Sequence, residues 1–163
     1  RDIPDFPQPG ILFRDVTTLL ADAQAFSQVI ELLAEHYADA DITHICAVEA
    51  RGYIFGAPLA ARLGKGFIPV RKPGKLPAET ISEAYSLEYG KNVLEVHKDA
   101  ADSHSKVLII DDLIATGGSA RAAARLMEKL GAKVVGLGFI IELCDLKGRE
   151  VLSDYDVYSL LRY

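Results

Sequence analysis

The sequence Val107-Leu-Ile-Ile-Asp-Asp-Leu-Ile-Ala-Thr-Gly-Gly-Ser119 places two adjacent carboxylates and two adjacent glycines directly after an apolar run. Residues 106–110 predict a core strand, and residues 118–130 predict a helix that ends at Gly131. Ligands of open α/β sheets bind outside the carboxyl ends of the strands, where this connection must lie. Adjacent glycines let successive amides point inward beside a helix N-terminus, which favours phosphate. The stretch therefore predicts a phosphate-binding loop.

The paired carboxylates Asp111 and Asp112 would repel a phosphate, so they suit another part of a ligand. Carboxylates accept hydrogen bonds from a diol, and they also hold hydrated metal ions. An ordinary turn with a helix cap explains one aspartate and one glycine, but not two of each in succession. The hydroxyls of Thr116 and Ser119 add hydrogen-bond donors beside the glycines. We therefore expect a ligand that carries phosphate together with a diol or a bound cation.

Strands and helices alternate along the rest of the chain, which indicates an α/β fold with an open, mostly parallel twisted sheet flanked by helices. The predicted elements are strands at 44–48, 67–70, 92–97, 106–110 and 133–143, and helices at 24–38, 55–63 and 118–130. The prolines in residues 1–20 exclude an uninterrupted helix there. The aperiodic residues 71–91 are typical of a functional loop, with part of which strand 92–97 pairs. No linker or repeat divides the chain, so we predict a single domain over residues 1–163.

The 163-residue chain is acidic overall, with 18 Lys and Arg against 23 Asp and Glu and a net charge of −5. Residues 50–78 nevertheless contain no acidic residue. Six basic residues lie in this window: Arg51, Arg62, Lys65, Arg71, Lys72 and Lys75. The window is either a solvated basic face or a local anion site. The remaining acidity argues against non-specific binding of nucleic acid.

Several residue patterns exclude other classes of protein. The apolar runs are shorter than the roughly 20 residues that cross a bilayer, so we expect no membrane span. Cys46 and Cys144 lie in apolar runs and predict buried free thiols, which favours a reducing, cytoplasmic location. The four histidines lack metal-ligand spacing. Arg121, Arg125 and Lys129 recur every four residues, which predicts a solvated helix face.

Residues 107–119 resemble the 5-phosphoribosyl 1-pyrophosphate (PRPP) motif of the type I phosphoribosyltransferases. Five further segments, in the family's order, resemble its adenine phosphoribosyltransferase branch: Asp5–Asp15, Glu49–Gly52, Arg71–Pro77, Tyr85–Lys91 and Glu142–Arg149. The resemblance implies purine salvage, in which adenine and PRPP give AMP and pyrophosphate through an oxocarbenium-like transition state. It also implies Mg²⁺ bound mainly through the substrate, and a homodimer. Residues 1–20 would form a base-binding hood, and residues 71–97 a flexible catalytic loop and hairpin.

The same resemblance implies roles for individual residues around the ribose and the base. Asp111 and Asp112 would bind the ribose hydroxyls. The 5′-phosphate would be held by Ala115, Thr116, Gly117, Gly118 and Ser119. Phe13 and Leu113 would sandwich the purine, while backbone groups at Leu12 and Arg14 read its edge.

Further roles concern the pyrophosphate and the proton. Glu88 would be the general acid/base on the flexible loop of residues 71–97, which closes over the reaction, with Tyr89 beside it as a substrate-binding residue. Pyrophosphate would be gathered by Arg51, Arg71, Lys72, Lys75 and Lys91, some of them across a dimer interface. Arg51 would lie in a loop where the family often has a non-proline cis peptide.

Three alternatives stay open at this point. The chain is alternatively a PRPP- or nucleotide-sensing regulator that has lost catalysis, although it carries Glu88 and no broad basic surface. A nearer alternative is a phosphoribosyltransferase for guanine, xanthine or orotate. Taken singly, Glu88 fits a solvated loop, Phe13 fits a core position, and Arg14 with Asp15 fits a local ion pair.

Overall fold

The structure, a computed structural model, describes the backbone of residues 1–87 and 90–163 and the side chains of residues 1–85 and 92–163. The strands are β1 Asp2–Pro4, β2 Leu12–Arg14, β3 His44–Val48, β4 Gly66–Val70, β5 Thr80–Leu87, β6 Gly90–His97, β7 Lys106–Ile114, β8 Lys133–Glu142 and β9 Val157–Arg162. The α-helices are α1 Thr17–Ala21, α2 Ala23–His36, α3 Arg51–Leu63, α4 Gly118–Lys129 and α5 Gly148–Val151, and a 3₁₀ turn covers Cys144–Leu146.

Five strands form one parallel sheet in the order β4-β3-β7-β8-β9. Both faces of the sheet are covered, and β3 and β7 accordingly consist largely of buried apolar residues. One face packs against α4 and the hairpin, and the other packs against α2 and α3. The predicted α/β class with a parallel sheet flanked by helices is confirmed.

Most predicted elements are confirmed within a few residues, and two differ in a way that affects the site. Strand β7 continues to Ile114, because Asp111, Leu113 and Ile114 stay paired with β8. The two aspartates therefore lie within the last part of a strand and not after it. Helix α3 begins at Arg51, four residues before the predicted start.

The sequence pattern missed β9 and the short elements of residues 1–20. Residues 157–162 are half-buried or exposed at the edge of the sheet, so their hydropathy shows little contrast. Strands β1 and β2 pair only with each other, as a separate antiparallel ribbon with Ile3 opposite Phe13. Residues 1–20, here called the hood, thus avoid a continuous helix, as expected.

The β5–β6 hairpin corrects the expectation for the basic face of α4. Glu83 of β5 accepts hydrogen bonds from Lys129 (2.6 Å) and Arg125 (3.2 Å). The Lys129 bond holds the pKa of Glu83 below its usual value. Two of the three basic residues on this face therefore attach the hairpin to the helix instead of only facing solvent.

The two cysteines differ in burial. Cys46 is fully buried, which raises the pKa of its thiol, but Cys144 is exposed, so the prediction of two buried thiols is wrong for Cys144. It follows the end of β8 and begins the 3₁₀ turn, outside the covered part of the sheet.

None of the helices in the described ranges has the length and apolarity that a membrane crossing needs.

Candidate active site

Asp111 and Asp112 lie side by side near the carboxyl end of β7, in the middle of the sheet. Only 8% of Asp111 and 5% of Asp112 is exposed. The Asp112 N–H donates to Asp111 Oδ1 at 2.9 Å. Burial, and then the charge of Asp112, raises the pKa of Asp111 well above its usual value. Such a pair costs stability and is therefore more typical of a binding function than of a packing role.

Arg51 provides the nearest positive charge, since its Nε lies 2.5 Å from Asp112 Oδ2. It is the first residue of α3, directly after the cis peptide bond between Glu49 and Ala50. Its guanidinium carbon lies 5.7 Å from the centre of the Phe13 ring in the hood. A Cβ on Gly52 would lie 2.9 Å from Asp111 Oδ1, so only glycine lets α3 approach β7 this closely. Arg51 is thus placed between the carboxylates and the hood.

The predicted phosphate loop, Ala115–Ser119, connects β7 to α4. Gly117 has a φ of +79° and precedes the helix, whose N-terminus no side chain caps among the described residues. Backbone amides of the first turn then lack intrahelical partners, and the helix dipole adds partial positive charge. The loop therefore has the geometry of an anion site, as the glycines indicate.

Gly148 is a site-supporting residue that the sequence analysis did not single out. A Cβ on Gly148 would lie 2.2 Å from the Ala115 carbonyl oxygen and 3.0 Å from the Gly117 N–H. Helix α5 consequently packs backbone to backbone against the loop. Gly148 is the single glycine of the segment 142–149, which could have marked it as a position of close packing. The residues that it packs against, Ala115 and Gly117, are remote in sequence, so the sequence did not show the contact.

If the loop holds the PRPP phosphate, as the resemblance implies, we expect Gly148→Ala to raise KM for PRPP by about tenfold or more, because the added methyl displaces the loop. Steady-state kinetics with varied PRPP measures the change. Gly64→Ala is the matched control, since Gly64 has a φ of +63° but a methyl group added there would meet no atom within 4 Å. That control loses stability through backbone strain and keeps its KM. Equal KM values for both variants would contradict the supporting role of Gly148.

The basic window of residues 50–78 is divided in the structure. Glu49 Oε2 accepts from Arg71 Nε (2.6 Å) and Glu49 Oε1 from the Lys72 N–H (2.8 Å). Burial opposes ionisation of Glu49, but these bonds outweigh it and leave its pKa lowered. Arg71 also donates to the Lys75 carbonyl at 2.9 Å. These contacts hold residues 71–75 beside the carboxyl ends of β3 and β4.

Arg62 belongs to a different surface, because its guanidinium pairs with Glu31 of α2 at 2.7 Å. The expectation of a local anion site therefore applies to part of the window only. Arg51, Arg71, Lys72 and Lys75 remain candidates for the site, with Lys72 and Lys75 exposed.

A cavity of about 820 Å³ lies between the hood and the phosphate loop. Its described lining includes four predicted site residues: Leu12, Arg14, Ala115 and Thr116. Phe13 is half-buried and its ring contacts that of Phe6, with centroids 5.1 Å apart. Leu113 is also half-buried and packs against the core. Stacking of Phe13 and Leu113 on a base stays a prediction.

The ion pairs of the hood differ from the sequence alternative for Arg14 and Asp15. Arg14 Nη1 pairs with Asp2 Oδ1 at 2.5 Å, across the β1–β2 ribbon. Asp15 instead pairs with Arg1 at 2.6 Å and accepts from the Thr17 N–H. The Thr17 bonds, helped by Arg1, lower the pKa of Asp15 to about 2. The two neighbours therefore bind separate partners, Arg14 within the β1–β2 ribbon and Asp15 just after its end.

Three predicted site residues cannot be placed. Glu88 and Tyr89 lie outside the described residues, and so does the side chain of Lys91. The flanking strands are described, and Leu87 pairs with Gly90 across the hairpin. The roles predicted for these three residues stay predictions.

The donor set around the aspartates bears on Mg²⁺. No group of three or more His, Cys, Asp or Glu side chains suited to a metal ion occurs within residues 1–87 and 90–163 as described. Two adjacent buried carboxylates suit water-mediated contact to a cation that a polyphosphate carries, rather than a complete protein site. The residues therefore fit the expectation of Mg²⁺ bound mainly through the substrate.

An open α/β sheet with paired acids, a glycine loop and a basic loop at its carboxyl edge is typical of proteins that bind phosphate esters. The sequence model described as "Phosphoribosyl transferase domain" matches residues 15–162. Adenine phosphoribosyltransferase of Halothermothrix orenii is 57% identical over 162 residues, covering 99% of this chain and 95% of its own. The chain belongs to the adenine phosphoribosyltransferase family within the phosphoribosyl transferase domain class.

Solved structures agree with this assignment. Adenine phosphoribosyltransferase from Thermoanaerobacter pseudethanolicus has a TM-score of 0.98 at 54% identity, covering 100% of this chain and 95% of that chain. The Trypanosoma brucei adenine phosphoribosyl transferase, solved with AMP, pyrophosphate and ribose-5-phosphate, has a TM-score of 0.88 at 27% identity. That match covers 97% of this chain and 73% of that chain.

Proposed function

We propose that this chain transfers the 5-phosphoribosyl group of PRPP to adenine, giving AMP and pyrophosphate. The observation that carries the proposal is the joint placement of Asp111 and Asp112 with the Gly117 loop at one edge of the sheet. Family membership at 57% identity over nearly the whole chain adds the base and the reaction. The general role is purine salvage in the cytoplasm.

The ribose and its phosphate occupy neighbouring parts of this edge. Asp111 and Asp112 accept hydrogen bonds from the ribose hydroxyls, and residues 115–119 hold the 5′-phosphate through backbone amides and hydroxyls. The two carboxylates also offset the positive charge that develops on the sugar as the bond to pyrophosphate breaks. Their burial makes this electrostatic effect stronger than it would be in water.

The pyrophosphate lies toward the basic residues Arg51, Arg71, Lys72, Lys75 and Lys91. Arg51 is held beside Asp112, which supports its proposed contact with the pyrophosphate next to the ribose. Glu49 orients Arg71 and the backbone of Lys72. Mg²⁺ bound mainly through PRPP, with Asp111 and Asp112 nearby, would supply further neutralisation of the leaving group.

The base enters the cavity below the hood. Leu12 and Arg14 line it from the hood and Thr116 lines it from the phosphate loop, so the reacting base and sugar meet there. The purine nitrogen forms a bond to C1 of the ribose as the C1–oxygen bond to pyrophosphate breaks. Glu88 accepts the proton that the purine nitrogen loses, and the loop that carries it excludes water. Phe13 and Leu113 sandwich the purine, and Tyr89 is a further substrate-binding residue.

The experiment is an assay of pyrophosphate release with PRPP, Mg²⁺ and a panel of free bases: adenine, guanine, hypoxanthine, xanthine and orotate. We expect release with adenine and little with the others. Release only with another base would overturn the substrate, and PRPP binding without release from any base would favour the regulator. Sedimentation measurements test the proposed homodimer, in which a second copy supplies part of the basic loop.

A further inference from the structure

Tyr163 has no role in the proposed chemistry, yet it stands where the hood meets the five-stranded sheet. Its backbone N–H donates to the Glu142 carbonyl at 2.9 Å, and its carbonyl accepts from the Cys144 N–H at 2.7 Å. These bonds fix the residue against the carboxyl end of β8. Half of Tyr163 remains exposed, and it lines the 820 Å³ cavity. The backbone of Tyr163 is thus fixed at the boundary of the cavity, and its ring contributes to the lining.

The guanidinium carbon of Arg14 lies 4.1 Å from the centre of the Tyr163 ring. The Arg14 side chain is 20% exposed, and it also pairs with Asp2. The Asp2 pair joins two strands of the hood, whereas the Tyr163 contact joins the hood to the rest of the fold. A guanidinium over an aromatic face is attractive, and partial burial strengthens the attraction.

This contact affects the cavity because it joins the β1–β2 ribbon to the central sheet, whereas Val16 at the other end of the hood is buried in the core. Strands β1 and β2 form their own ribbon and have no ladder to the central sheet. Ile11 and Leu12 line the cavity from the hood, and Leu143 and Tyr163 line it from the opposite side. The distance between hood and sheet therefore sets the width of the cavity.

We propose that Arg14 and Tyr163 form a latch that holds the hood at the height required for the nucleobase. Tyr163 is a positioning residue that acts through Arg14 and the hood. The inference rests on the proposed function for the identity of the base. It concerns the base and not PRPP, because the phosphate loop and the aspartates are attached to the sheet independently of the hood.

The first test is Tyr163→Leu, which keeps an apolar side chain and removes the aromatic face. We expect KM for adenine to rise about three- to tenfold, while KM for PRPP stays within about twofold. Tyr163→Phe restores the adenine KM, because the ring is retained. Leu161→Ala is the matched control: Leu161 lies two residues away on β9, is 45% exposed and does not line the cavity as described. The latch would be overturned if Tyr163→Leu raised the KM for adenine and the KM for PRPP equally, or if Tyr163→Phe failed to restore the KM for adenine.

A double-mutant cycle tests whether the two side chains act together. Arg14→Gln removes the cation, and the combination with Tyr163→Leu is expected to be no worse than the more damaging single variant. Asp2→Asn measures the separate cost of losing the Asp2 ion pair. Fully additive effects of the Arg14 and Tyr163 changes on adenine KM would overturn the proposal.

A second measurement separates this inference from the proposed function. Amide hydrogen exchange of residues 6–13 is followed without substrate in the wild-type protein and in Tyr163→Leu. The latch predicts faster exchange of these amides in the variant, with unchanged exchange in the central strands. Unchanged exchange in the hood overturns the latch, whatever the activity. Lack of adenine transfer by the wild-type protein overturns the proposed function and leaves this measurement valid.

Discussion

The double substitution Asp111→Asn with Asp112→Asn is expected to lower kcat/KM for PRPP by about a thousandfold while the protein stays folded. Asparagine keeps the shape of each side chain but removes the charge that would balance the developing positive charge on the ribose. It also replaces acceptor oxygens with amide donors, which mismatch the sugar hydroxyls. Steady-state kinetics together with thermal unfolding measures both effects.

The expected effect on stability has the opposite sign to the effect on activity. Burial and the neighbouring charge raise the pKa of Asp111, so ionising it in the folded protein costs free energy that a neutral amide avoids. This cost appears as pH rises through the usual pKa of an aspartate, and it is present at neutral pH. The amide oxygen of an asparagine at this position would still accept the 2.9 Å hydrogen bond from the Asp112 N–H. The single variant Asp111→Asn should therefore unfold at the same temperature as the wild-type protein or a higher one.

The matched control is Asp154→Asn with Asp156→Asn, which removes two exposed carboxylates outside the site. It changes the net charge equally and should leave kinetics near the wild-type values. An active Asp111/Asp112 double variant would show that these carboxylates do not bind the ribose. Loss of activity accompanied by a large fall in unfolding temperature would assign them a structural role instead.

Glu88→Ala is expected to lower kcat by about a hundredfold or more, with KM for PRPP nearly unchanged. The proposed role of Glu88 is proton transfer with the purine, so its loss affects the chemical step and not PRPP binding. Glu88→Gln should lose as much activity as alanine, because it preserves size but cannot accept the proton. Pre-steady-state measurement of AMP formation separates this step from product release.

Glu79→Gln is the control on the same segment, since Glu79 precedes β5 and forms an exposed ion pair with Lys98. It removes one charge and should keep its turnover. Near-normal turnover of Glu88→Ala would remove Glu88 from the mechanism. Equal losses in Glu79→Gln and Glu88→Gln would indicate a general effect of charge on the hairpin.

The core strands could be predicted because their signal is local. Residues 44–48 and 133–142 are nearly continuous apolar runs, as required for strands buried on both faces. Strand β9 was missed for the converse reason, since an edge strand with half-buried residues has no clear periodicity. The continuation of β7 from Asp111 to Ile114 could not be predicted from the sequence pattern either. The strand is extended there by the pairing of Asp111 with Phe139 of β8, more than twenty residues away in sequence.

In the site too, contiguous features could be predicted from the sequence and contacts between distant segments could not. The phosphate loop and the paired aspartates were recognisable because the residues that form them are contiguous. The contacts of Gly148 with Ala115, of Arg51 with Asp112 and of Glu49 with Arg71 depend on how distant segments meet. Arg125 and Lys129 gave a helical spacing typical of solvent, and only the position of the hairpin revealed Glu83 as their partner.

The sequence by itself determined the α/β class, the order of the central elements and the glycine loop that is proposed to hold phosphate, since each follows from short-range hydropathy and glycine placement. Tertiary structure alone decided which basic residues reach the site and that Tyr163 stands against Arg14. The physical reason is that charge pairing and aromatic contact act between side chains only a few ångströms apart in space, whatever their distance along the chain. Short-range sequence patterns do not determine the distances between residues that are far apart in the chain.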